Sequence, residues 1–234
     1  MPNLLPAPAH ASQLSPGASR DATATAKFLE QAYDQYAGSY DVLDSGSAAD
    51  VLGFPELRRE LIAQAHGCVL ELAVGTGLNL PLYNPSRLTS LTALDISTGM
   101  LQQAQKRAKG LGDPFPVTFV QGDVAALPFE SASFDCVIDT FSLCVFPDPA
   151  AALREAARVV KPGGSVLLLE HQRSPFSPLA WYQDVSADAV AATGKGCFWN
   201  QNVTGLLSSA GLQVKTKKES LGGLITLVKA QQLM

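Results

Sequence analysis

Residues 69–79 read Val-Leu-Glu-Leu-Ala-Val-Gly-Thr-Gly-Leu-Asn, an apolar run that passes straight into a glycine turn, and the next apolar run, Leu91-Thr-Ala-Leu-Asp, closes on Asp95. Gly75 and Gly77 let the backbone turn sharply and approach a ligand with no Cβ atoms between them. An acid ending the second strand can accept both ribose hydroxyls. Taken alone, Asp95 reads equally as a helix cap, because Asp before a helix accepts orphan backbone donors. In order, these features predict a parallel α/β unit holding a nucleotide-bearing cofactor. In the dinucleotide fingerprint a third small residue follows three places after the second glycine, where this chain has Leu80; that disfavours a pyrophosphate.

Glu71 sharpens the choice. A carboxylate two residues before the turn repels a pyrophosphate and suits a cationic amino-acid cofactor. Glu71-Leu-Ala-Val-Gly-Thr-Gly resembles the first motif of class I S-adenosylmethionine-dependent methyltransferases, an acid followed by Gly-x-Gly-x-Gly, with Ala73 standing where the first glycine belongs. The resemblance extends over residues 67–171 with further motifs in the family's order. Leu94-Asp-Ile-Ser-Thr-Gly-Met resembles the strand-two signature, Gln121-Gly-Asp-Val-Ala-Ala-Leu-Pro-Phe the next segment, and Lys161-Pro-Gly-Gly-Ser-Val-Leu-Leu-Leu-Glu the turn and fifth strand of small-molecule members. It implies S-adenosylmethionine as cofactor, held by Glu71, Ala73, Gly75 and Gly77 at the turn, Asp95 at the ribose, Met100 near the adenine face, and Ile96 among the binding residues. Asp123 and Val124 would serve the adenine ring, Asp139 would border the cleft, and Tyr40, in a segment Tyr36-Ala-Gly-Ser-Tyr-Asp, would belong to a lid. The same tyrosines read equally as core packing, and Asp123 as a turn cap before Pro128.

Strand-like runs at 68–73, 91–95, 117–121, 135–139 and 165–170 alternate with helical stretches at 78–83, 98–110, 125–128 and 149–160, which specifies a doubly wound α/β sheet with right-handed crossovers. A last helix at 201–210 and a hairpin from 212–217 and 224–228 complete a seven-stranded, mostly parallel, Rossmann-like sheet whose antiparallel last strand matches the resemblance. The expected organisation is a disordered leader at 1–25, a helical lid at 26–66, the cofactor core at 67–171, an inserted segment at 172–200 and the closing helix and hairpin at 201–234. Lys161-Pro-Gly-Gly reads as a helix C-cap and stop. The Ser-rich, acid-poor leader resembles an organelle transit sequence or is a plain tail.

With 234 residues, 47% of them hydrophobic, the chain buries one substantial core, and its net charge of −4 gives no basic footprint for a nucleic acid. No apolar run reaches 18 residues, so no transmembrane segment is expected, while peripheral membrane association stays open. Four cysteines without Cys-x-x-Cys spacing indicate a reducing compartment, the cytoplasm or, given a transit leader, a plastid or mitochondrion. The scattered His10, His66 and His171 argue against a zinc site. No Gly-x-Ser-x-Gly elbow supports a hydrolase.

Ligands of such sheets bind outside the carboxyl ends of the strands, which brings Ala73, Asp95, Asp123, Asp139 to Leu143, and Glu170-His171 to one cleft. His171 is the candidate base, with strand capping as its alternative. Trp181, Tyr182, Phe198 and Trp199 either line an acceptor pocket or anchor the insert. After strand four Asp139-Thr-Phe-Ser-Leu-Cys replaces the Asn/Asp-Pro-Pro-aromatic element of adenine and glutamine methyltransferases. The core is instead similar to the group of quinone, phosphatidylethanolamine and thiol methyltransferases, which implies a small, apolar acceptor. A noncatalytic cofactor-binding scaffold and a nicotinamide-dependent oxidoreductase are the alternatives, although the chain lacks the oxidoreductase's third glycine and Tyr-x-x-x-Lys.

Overall fold

A computed structural model describes residues 22–41, 52–112 and 114–232. Most of the expected leader, and residues 42–51 of the expected lid, lie outside them. The elements are α1 (Ala22–Tyr36), α2 (Phe54–Ile62), β1 (Gly67–Leu72), β2 (Leu88–Asp95), α3 (Thr98–Gly110), β3 (Val117–Gln121), β4 (Phe134–Thr140), α4 (Pro149–Val159), β5 (Val160–His171), α5 (Ser177–Thr193), α6 (Val203–Ser209), β6 (Leu212–Ser220) and β7 (Ile225–Gln232).

The strands form one seven-stranded sheet in the order β3-β2-β1-β4-β5-β7-β6. Strands β1 to β5 pair in parallel, and β7 runs antiparallel to both β5 and β6. Strand order reverses between β1 and β4, and that switch point opens a crevice at the carboxyl edge. Both faces are covered, as the near-continuous apolar strands require. Leu70, Leu72, Leu94, Val137 and Leu168 pack with α4 and α6 on one face. Val69, Leu91, Ala93, Ile138, Leu167 and Leu169 pack with α2 and α3 on the other.

Helix starts follow local chemistry. The Ser97 hydroxyl accepts the Met100 N–H at 3.0 Å to cap α3, and Asp148 accepts Ala151 N–H at 2.8 Å ahead of Pro149 in α4. Two expectations need correction. The stretch 78–83 forms only a three-residue 3₁₀ turn, Leu80–Leu82, because Pro81 lacks the N–H that would propagate a helix; 125–128 is likewise a turn. Lys161-Pro-Gly-Gly is not a helix cap. Helix α4 ends at Val159 with Val160 already extended, and the glycines form an irregularity inside β5. Gly164 allows a close crossing there, since a Cβ on it would lie 2.8 Å from the Asp135 carbonyl oxygen.

Helix α5 buries Ala180, Gln183, Ala187 and Ala191. Gln183 is fully buried: its Oε1 accepts the Ser174 N–H at 2.7 Å and its Nε2 donates to the carbonyls of Gln172 and Trp199, both at 2.9 Å.

Candidate active site

A cleft at the carboxyl edge is lined by Ala73 and Gly75 after β1, Asp95, Ile96 and Met100 after β2, Asp123 and Val124 after β3, and Thr140, Phe141 and Ser142 after β4. Leu29, Tyr33 and Tyr40 from α1 and the turn beyond it roof the cleft. Eight of the expected residues thus share one wall: Ala73, Gly75, Asp95, Ile96, Met100, Asp123, Val124 and Tyr40.

Asp95 is the centre of this wall. One carboxylate oxygen accepts the Gly75 N–H at 2.8 Å and the other the Ser97 N–H at 2.9 Å. The helix cap is therefore Ser97 and not Asp95, whose carboxylate ties the end of β2 to the Gly75 turn and keeps a second lone pair on each oxygen. Burial raises its pKa to about 6, while the N–H donors of Ser97 and Gly75 act in the opposite sense. Asp123 accepts the Ala125 N–H at 2.8 Å with Oδ1, so it combines turn capping with a place on the wall.

The glycine turn has two different requirements. Gly75 has φ of 57° with no neighbour crowding a Cβ, so backbone freedom is its role. Gly77 does not line the cleft; a Cβ there would meet Leu80 Cδ1 at 2.6 Å and Ala104 Cα at 3.2 Å, so it lets the turn pack on α3. Ala73 adopts φ of 46°, a left-handed conformation that costs a residue with a Cβ roughly 1–2 kcal/mol. Ala73→Gly is therefore expected to raise unfolding stability by up to about 1 kcal/mol, the unfolded-chain entropy of glycine offsetting part of the gain. Chemical denaturation measures this, and a loss of stability would contradict the strain.

Glu71 faces a different environment from the expected one. Its carboxylate is buried beneath the turn, accepting from Asn79 Nδ2 at 2.8 Å and Tyr83 Oη at 2.7 Å. Arg58 extends this network, donating to Asn79 Oδ1 at 3.0 Å and Thr140 Oγ1 at 2.8 Å, with its guanidinium 5.0 Å from the centre of the Phe141 ring. Burial raises the Glu71 pKa to about 7 against these hydrogen bonds. Glu71 therefore fixes the floor between β1 and β4 and is not among the lining side chains. Asn79 and Tyr83 follow the glycine turn directly but no role for them is expected from the sequence, and Arg58 lies in no motif.

Asp139 is also turned inward. It and Glu170, on neighbouring strands, are a buried pair of carboxyls whose pKa values are both raised, burial being the main cause. Ser142 Oγ donates to Asp139 Oδ1, and the backbone N–H groups of Ser142 and Leu143 donate to Glu170. Asp139 Oδ2 and Glu170 Oε2 have no other partner. Two adjacent buried carboxyls favour protonation of one of them, in keeping with the raised pKa values. Together they anchor the Phe141-Ser142 wall, where Phe141 is held at φ of 57°.

His171 lies one layer behind that wall. Its ring centre is 5.2 Å from that of Phe141, and Nδ1 faces two thiols, Cys144 Sγ at 3.8 Å and Cys197 Sγ at 3.6 Å. It does not line the cleft. Trp181 and Tyr182 are 66% and 53% exposed, away from the cleft, and Tyr182 meets Trp199 edge-on at 5.9 Å. Trp181 and Tyr182 therefore do not line the cleft, and Trp181 at that exposure does not anchor the insert either.

The roof is fastened at both ends. Asp34 Oδ1 accepts from Ser97 Oγ at 2.5 Å and from the Gly99 N–H at 2.8 Å, and Gly99 lets α1 lie close, a Cβ being 3.2 Å from Asp34 Cα. Thr76 Oγ1 donates to Asp41 at 2.5 Å, and Arg107 pairs with the same carboxylate. Lys195 Nζ sits 3.9 Å from the Tyr40 ring centre, a cation–π contact.

Residues 70–168 match the methyltransferase domain family. The chain is 34% identical over 140 residues to a phosphatidylethanolamine N-methyltransferase of Cereibacter sphaeroides, covering 54% of this chain and 68% of that protein. It is 29% identical over 210 residues to the mitochondrial methyltransferase OMS1 of Saccharomyces cerevisiae, covering 81% of this chain but spanning only 43% of the yeast protein's length. A solved S-adenosylmethionine-dependent methyltransferase of Thermotoga maritima shares the fold with a TM-score of 0.64 and 20% identity, over 87% of this chain and 99% of that one.

Proposed function

Because the chain belongs to the class I methyltransferases, whose cofactor is S-adenosylmethionine, we propose that it methylates a small, apolar acceptor of the lipid, quinone or thiol kind. The observation that carries this reading is the buried Asp95 carboxylate, wired by one hydrogen bond to the Gly75 turn and open to the cleft. In the proposed complex Asp95 holds the ribose hydroxyls, Ile96 and Met100 flank the adenine, and Asp123 with the Val124 backbone meets its polar edge. The narrow turn at Ala73 and Gly75 admits the amino-acid end, with Glu71 supporting it from below through Asn79 and Thr140. The bound cofactor supplies a methyl group already activated on a sulfonium.

The protein's own contribution is alignment and exclusion of water. Holding two reactants in line can supply about 7–11 kcal/mol in favourable cases. Phe141, Val145 and Phe146 on the far side, with Leu29 in the roof, give the acceptor end apolar walls, which suits an acceptor with little charge near the reacting atom. No proton-transfer step is assigned to His171, whose Nδ1 is directed at the two sulfurs.

Among the described residues no helix is long and apolar enough to cross a membrane. An apolar acceptor would therefore reach the cleft from solution or from a membrane surface.

Calorimetric titration with S-adenosylmethionine, S-adenosylhomocysteine and NAD tests the cofactor half of the proposal. Binding of the two sulfur ligands and not NAD is the expected result. Transfer of a labelled methyl group to phosphatidylethanolamine vesicles, a quinol or an alkyl thiol then identifies the acceptor. Cofactor binding with no transfer to any of the three would favour the noncatalytic scaffold.

A further inference from the structure

Cys144, His171 and Cys197 are distant in sequence, yet the structure brings their ligand atoms within 4.8 Å of one another. Each arrives on a different element: Cys144 from the turn after β4, His171 from the last residue of β5, and Cys197 from the loop that follows α5. The argument against zinc from scattered histidines fails here because parallel strand order places β4 beside β5, and the α5 loop folds back over both.

The spacing suits a tetrahedral ion as well as a pair of thiol–imidazole hydrogen bonds. For a tetrahedral zinc ion with Zn–S of about 2.3 Å and Zn–N of about 2.0–2.1 Å, the nitrogen-to-sulfur edge is about 3.6 Å. The two edges seen are 3.6 and 3.8 Å, both from the same imidazole nitrogen. The loop is built to hold this geometry. Lys195 and Gly196 take φ of 57° and 88° in succession, Cys197 N–H returns to the Gly194 carbonyl at 3.0 Å, and Phe198 N–H donates to the Cys144 carbonyl at 2.9 Å. That last bond joins the two cysteine segments directly.

We propose that Cys144, His171 and Cys197 form a three-ligand zinc site with an open fourth position, clamping the 194–199 loop to the sheet edge behind Phe141. Two thiolates and one neutral imidazole balance the charge of the ion, so binding releases the two thiol protons. The site goes beyond the proposed methyl transfer and stands without it.

The test uses the full chain, reduced and freed of metal by a chelator, then titrated with Zn²⁺ against a chromophoric competitor and separately with Co²⁺. Expected are one ion per chain, two protons released per ion, and the thiolate charge-transfer and intense visible bands of tetrahedral cobalt. Cys197→Ser and His171→Asn should each weaken binding at least about 100-fold, since even neighbours of ligands change affinity 10–100-fold. Cys68→Ser, outside the cluster, should leave it unchanged. Circular dichroism confirms that each variant is folded, and Cys197 is half-buried, so its serine variant keeps the test interpretable. Substoichiometric uptake, a six-coordinate cobalt spectrum, unchanged binding in Cys197→Ser, or a Cys144–Cys197 disulfide in the purified chain would each overturn the proposal.

Discussion

Replacing Asp95 with asparagine is expected to weaken S-adenosylhomocysteine binding about 100-fold while leaving the fold intact. A hydrogen bond to a charged acceptor contributes about 1.5–3 kcal/mol, and two ribose hydroxyls would share this carboxylate. Asparagine keeps the shape but loses the charge, and it offers one acceptor oxygen where Gly75 and Ser97 require two. The wild-type protein should show the same dependence through pH. Burial raises the free carboxyl to about 6, and only the ionised form accepts both hydroxyls. Affinity should therefore fall about tenfold for each pH unit below 6 in the wild type, and this slope should vanish in the variant. Calorimetry at pH 5, 6 and 7 reads both effects. An asparagine variant that binds within about threefold of the wild type would remove Asp95 from the ribose site.

The second large effect lies beneath the cleft. Glu170→Ala should destabilise the protein by about 2–5 kcal/mol, because it opens a cavity and leaves the Ser142 and Leu143 N–H groups buried without an acceptor. Glu170→Gln should be nearly neutral at pH 7. The amide oxygen still accepts those N–H groups and the amide nitrogen donates to Asp139, reproducing the protonated acid. The linkage sign follows from the direction of the shift. The native pKa of Glu170 lies well above its ordinary value of 4.5, so its contribution to stability is complete below 4.5 and is lost as pH rises toward the native pKa. Glu71, raised to about 7, adds to the same trend. Denaturation between pH 4.5 and 8 should therefore show the glutamine variant losing less stability than the wild type. An alanine variant as stable as the glutamine one would show that the pair does not anchor the Phe141 wall.

Much of the architecture was legible from residue patterns because it is encoded locally. The apolar runs, the glycine turn and the acid-tipped second strand specified the parallel sheet, whereas the helix-cap reading falls on Asp95 and the cap is Ser97, two residues on. Short elements read less well. Pro81 cut the stretch 78–83 to one turn, and Lys161-Pro-Gly-Gly became part of β5 because its glycines permit a crossing against Asp135 that no local rule anticipates.

The sequence by itself determined the fold class, the family resemblance and the cleft wall from Ala73 to Val124, because those residues follow strand ends at short, fixed spacings. Tertiary structure alone decided which acids turn inward. Glu71 meets Tyr83 and Asn79, and Asp139 meets Glu170. It also placed His171 between Cys144 and Cys197. These contacts join residues 8 to 31 positions apart on separate elements, and they depend on strand order and on loops that close over the sheet. Local periodicity records which face of an element is apolar; it holds no record of which polar groups meet once the elements pack.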